Sequence, residues 1–178
     1  MLYGLSGAPI PATLPYAAPV NAACYEANFP PPLLYSIGAI ETILSETTGW
    51  IESVAPGKTA ATYVSGDGGH GVFQLTSSFP PNWDDPEANA AYAIHVFLFP
   101  AVHHWAAFNY QGADLVRLAA ATFNEGLTEA IKDHAAGNVD LDTTDHYAAR
   151  ALACYNVFAT QGLGTTVAAL IAAEEPLR

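Results

Sequence analysis

Apolar residues recur along this chain mostly at helical spacing. Leu33, Ile37, Ile40 and Leu44 follow one another at four, three and four residues, a stripe that predicts a core-facing helix. Pro30-Pro31-Pro32 ends a short helix carrying Cys24 and Tyr25 and opens this one, since proline suits a first helical turn. Gly49 closes it. From about Thr59 to Thr76 the pattern changes to β-branched, aromatic and glycine residues, which predicts a small hairpin lobe turning at Gly66-Asp67-Gly68-Gly69. Asp85-Pro86-Glu87 supplies a cap, a first-turn proline and a first-turn acid, predicting a helix through Ala93 and Phe97 that Pro100 should break or kink. Further helices are expected around Trp105, from Ala113 to Phe123, from Tyr147 to about Ala159, and from Thr165 to Ala173. Residues 1–22, punctuated by Pro9, Pro11, Pro15 and Pro19, predict an extended Pro/Ala-rich arm, packed on a partner or mobile, ahead of one domain spanning 23–178.

A chain of 178 residues, 51% of them hydrophobic, supports one domain with a substantial core. Its 17 acidic residues against 5 basic ones give a net charge of -12, which repels phosphate backbones and argues against nucleic-acid binding. Apolar runs are interrupted well short of a membrane span, and the first residues lack the basic segment of a secretory signal. The expected protein is therefore soluble. Cys24 and Cys154 are either two buried thiols or a long cross-link worth about 4 kcal/mol.

Glu41 lies at the rim of the apolar stripe. A carboxyl group against apolar neighbours holds its proton towards neutral pH, as a general acid must, whereas a solvent-facing Glu on an amphipathic helix would do nothing of the kind. Asp67 either favours the glycine-rich turn or serves as a second carboxylate. Gln74 and Asn124 can offer paired amide donors and acceptors, and Tyr147, Phe73 and Tyr63 are flat enough to stack on sugars, unless they belong to caps and core. His70 suits a structural place in the turn. His95, His103 and His104 lack a companion ligand set, and Asp140, Asp142 and Asp145 lack the Gly and terminal Glu of a calcium loop, so neither a metal nor another cofactor is expected.

In this order the motifs resemble those of the lytic transglycosylase and goose-type lysozyme group. Pro32-Leu33-Leu34 through Ile40-Glu41-Thr42 matches that group's catalytic-Glu entry, with Thr42 for the usual Ser. Gly71-Val72-Phe73-Gln74-Leu75 matches Gly-Leu-Met-Gln-aliphatic. Asp85-Pro86-Glu87-Ala88-Asn89 matches Asp-Pro-x-x-Asn, and Ala121-Thr122-Phe123-Asn124-Glu125-Gly126 matches Ala-x-Tyr-Asn-x-Gly with Phe for Tyr. Tyr147 matches a tyrosine near a Thr-rich helix start. The likeness covers roughly residues 25–160.

It implies a mainly α, lysozyme-like fold with a glycan cleft, and cleavage of the β-1,4 bond between N-acetylmuramic acid and N-acetylglucosamine in peptidoglycan. Glu41 would be the catalytic acid, with Gly71, Phe73, Gln74, Thr42, Asn124 and Tyr147 holding substrate. Asp67 matches the water-positioning acid of goose-type enzymes, while Thr76 stands where they carry a second one. The expected place of action is the cell wall, virion-borne or exported by another route. From a different class comes a structural component of a virion or secretion assembly that keeps the fold with little activity, a reading suited to the acidic surface and the Pro-rich arm.

Overall fold

The structure, a computed structural model, describes residues 2–139 and 144–177. The fold is mainly helical. Helix α1 is Ala17–Ala27. Helix α2, Pro31–Gly38, continues through a π-helical turn, Ala39–Ile43, into α3, Leu44–Thr47. Gly49 takes a left-handed conformation (φ 80°) that ends this run, and a one-turn helix α4, Trp50–Val54, follows. Helix α5, Pro86–Tyr92, starts as its sequence predicts: the Asp85 carboxylate accepts from the backbone N–H of Glu87 and Ala88 at 2.8 and 3.2 Å.

A second π turn, Ala93–Leu98, leads into α6, Phe99–Ala107. Pro100 therefore sits in the first turn of α6 behind a widened turn that accommodates its ring, and it does not stop the helix. Next come α7, Gly112–Glu125, α8, Leu127–Ala136, α9, Tyr147–Gln161, and α10, Val167–Glu174. Helix α9 packs on α7, α2 and α10 and forms the centre of the core.

Two expectations need correction. Among the described residues no β-strand forms, so the hairpin lobe is an irregular loop held by isolated bridges between Val64 and His70 and between His70 and Leu75. Gly68 (φ 88°), Gly71 (φ 72°) and Gln74 (φ 45°) reverse the backbone every few residues, too often for a ladder to extend. The Pro-rich arm is not free: Leu5, Ile10 and Leu14 are buried and α1 already begins at Ala17. Asn21 pins the arm by accepting from the Ile10 N–H and donating to the Ile10 carbonyl, at 2.8 and 2.9 Å. Of the two readings of the cysteines the structure has the buried thiols: Cys24 and Cys154 are both buried and not cross-linked.

No helix among the described residues is long and apolar enough to cross a membrane. No group of three His, Cys, Asp or Glu gathers there as a metal site either. Asp140 and Asp142 fall outside the described residues.

Candidate active site

Glu41 occupies the π turn, where the N–H of Leu44 reaches back five residues to the carbonyl of Ala39. Such single wide turns inside helices occur often at functional positions. Its chain neighbours Ile40, Thr42, Ile43 and Leu44 are buried, so the Glu41 carboxyl is enclosed on the protein side. Tyr147, at the start of α9, donates its hydroxyl to Glu41 Oε1 at 2.5 Å. Burial is the largest influence on Glu41, and with the nearby Asp67 charge it lifts the carboxyl to about 7. The Tyr147 hydroxyl and the Arg150 guanidinium pull the other way. A neutral carboxylic acid below about pH 7 results.

The glycine-rich loop is clamped against this helix by residues on either side of Glu41. Thr42 donates its hydroxyl to the Val72 carbonyl at 2.8 Å. At Gly38 an added Cβ would stand 2.9 Å from Phe73 Cε1, so the missing side chain is what lets the Phe73 ring seat there. From the far side comes Asn89 of α5, wholly buried. Its Oδ1 accepts from the Phe73 N–H at 2.9 Å, and its Nδ2 donates to the His70 carbonyl at 3.2 Å. Gly71 passes so close to Asn89 that a Cβ would meet Nδ2 at 2.7 Å. Helix α5 and the Glu41 helix thus hold the loop between them.

These constraints open a cavity of about 300 Å³. Glu41, Asp67, Gln74 and Asn124 line it, together with Ser65, Thr76 and the aromatic rings of Trp50, Tyr63 and Phe123. Asp67 accepts a short hydrogen bond from the Ser65 hydroxyl. That bond is the main reason its carboxyl titrates below the usual range, so Asp67 gives up its proton at lower pH than Glu41, which keeps its own up to about pH 7. Gln74 donates Nε2 to the Gly71 carbonyl at 2.8 Å, and its buried Oε1 has no hydrogen-bond partner.

The residues expected from sequence divide in two. Glu41, Asp67, Gln74 and Asn124 face one cavity. Thr42 and Phe73 are exposed to only 1% and 0%, and Gly71 is buried with them, so these three support the cavity without lining it. Tyr147 is also buried, and its hydroxyl acts on Glu41 from behind. Tyr63 is cleft wall. His70 is structural, its ring stacked 3.9 Å from Phe79 and edge-on to Trp83 at 4.8 Å.

Sequence reasoning passed over Trp50, Ser65 and the support role of Asn89. Signals existed for two of them: an amide one turn inside an Asp-Pro cap, and an indole directly after the glycine that ends the Glu41 helix. A larger groove of about 690 Å³ runs along the arm and α1, lined by Leu5, Pro9, Cys24 and Phe29 among others. Its described lining carries no carboxylate or basic group, and burial pushes the Cys24 thiol up, so size does not mark the chemistry here. Comparison of the chain with protein-family profiles, with curated proteins and with solved structures gives no match.

Proposed function

We propose that this protein is a peptidoglycan-cleaving glycosidase of lytic transglycosylase type, acting on the β-1,4 bond between N-acetylmuramic acid and N-acetylglucosamine. The observation that carries the proposal is Glu41: a carboxyl held to about 7, hydrogen-bonded from behind by Tyr147, facing a cavity furnished with amides. A neutral acid in that setting can protonate the glycosidic oxygen as the C1–O bond breaks. The carboxylate left behind then takes the proton of the sugar's own C6 hydroxyl while that oxygen closes on C1, giving a 1,6-anhydro end and restoring Glu41. Gln74 and Asn124 orient N-acetyl groups and hydroxyls. No cofactor takes part.

Asp67 favours a second route. An ionised carboxylate in the same cavity as a protonated one is the division of labour of an inverting hydrolase, in which the base accepts a proton from attacking water. Mass spectrometry of digested walls distinguishes the two, since anhydro ends mark the transglycosylase and reducing ends the goose-type hydrolase.

Glu41→Gln should abolish wall clearing without lowering thermal stability. Clearing that survives the substitution would refute Glu41 as the acid. A parent protein that clears nothing would favour a structural role in an assembly, a role whose sequence support is reduced because the arm packs on its own domain.

A further inference from the structure

Trp50 is half exposed, an uncommon place for a large indole, and it stands at the wall of the Glu41 cavity. Its position follows from its neighbours. Gly49 turns the chain in a left-handed conformation, and the adjoining Ile51 is wholly buried, so α4 is anchored by Ile51 while Trp50 is held outward. Tyr63 meets it edge to face, with ring centres 6.0 Å apart at 78°. The main chain at Tyr63 is itself held, because its carbonyl accepts from the Gly71 N–H at 3.0 Å. The indole is therefore braced, and half of it still meets solvent.

We infer that Trp50, braced by Tyr63, is a stacking platform that binds the apolar face of a neutral N-acetylated pyranose next to the scissile bond, resting on the glycosidase function proposed above. Three observations select this ligand. The cavity of about 300 Å³ is at the small end for ligand sites, enough to enclose a single ring, so neighbouring sugars must lie along its rim where Trp50 stands. Glu41 and Asp67 line it with no Lys or Arg among the described lining residues, which disfavours an anionic group. The amides in the lining are Gln74 and Asn124, a group type suited to N-acetyl groups, while a ring face offers the axial C–H surface of a sugar a flat apolar contact.

The test uses the neutral tetrasaccharide of β-1,4-linked N-acetylglucosamine as probe, bound to the inactive Glu41→Gln protein and followed by tryptophan fluorescence and calorimetry. Trp50→Ala in that background should remove most of the fluorescence change and weaken affinity about tenfold. Trp50→Leu, which keeps apolar bulk without a flat ring, should lose as much, and Trp50→Tyr should regain most of it. In the active protein Trp50→Ala should raise KM about tenfold with kcat within about twofold. Unchanged affinity and KM alongside normal wall clearing would overturn the platform and leave the glycosidase standing. A fall in kcat at constant KM, or equal binding by the Leu and Trp proteins, would also overturn it. A parent that neither clears walls nor binds the probe removes both proposals together.

Discussion

Glu41 and Asp67 share a cavity and titrate apart because their immediate partners differ. Glu41 has buried neighbours and one phenol, whereas Asp67 is solvent-exposed and bonded to the Ser65 hydroxyl. An acid of about 7 is increasingly deprotonated above that pH, so the proposed activity should fall as pH rises through 7. Tyr147 shapes this limb. Its hydroxyl bonds the charged form of Glu41 and so holds the carboxyl lower than burial alone would. Tyr147→Phe removes that bond, the carboxyl rises further, and the alkaline limb of kcat/KM should move upward by about one pH unit. A limb that stays put, or moves down, would show that the phenol does not act on Glu41.

Three elements meet at the glycine-rich loop, and Asn89 is the joint between two of them. Asn89→Ala would strand the buried Phe73 N–H and leave the His70 carbonyl with the Leu75 N–H as its donor, at a cost of about 1–3 kcal/mol. The melting temperature should fall, and clearing should fall with it even below that temperature, because Gln74 and Asp67 ride on the same loop. A stable but inactive variant, or a destabilised but fully active one, would separate the two roles. Elements were legible in the sequence where one residue type has one physical use: the Asp85-Pro86 cap, the Gly49 stop, and the stripe from Leu33 to Leu44. They were illegible where a pattern has two uses. Val64 and Tyr63 are strand formers, but the left-handed glycines around them leave room only for single bridges. Helix α8 buries only Ala130, so no stripe announced it. The four residues facing the cavity could be named from motifs, whereas the burial of Phe73 depended on Gly38 and Asn89, and the bond of Thr42 on Val72, partners distant in the chain.

At the scale of the whole molecule the dominant fact is a net charge of -12, the same sign as the wall proposed as its substrate. Long-range repulsion then slows encounter, and salt screens it: from about 10 to about 150 mM the screening length contracts from roughly 30 to 8 Å. Clearing should accelerate over that range, and a rate that falls with added salt would contradict the charge picture. Helix α9 lies at the centre of the core, and the first residues reach it directly, the Ser6 N–H donating to the Tyr155 hydroxyl at 2.7 Å. Two of the partners that tune Glu41, Tyr147 and Arg150, belong to the same helix, more than a hundred positions downstream. On the ribosome, then, Glu41 is made early and its surroundings late. A nascent chain stalled before Tyr147 carries Glu41 without its phenol or guanidinium, and the carboxyl meets its final environment only when the far end of the polypeptide folds back upon the near one.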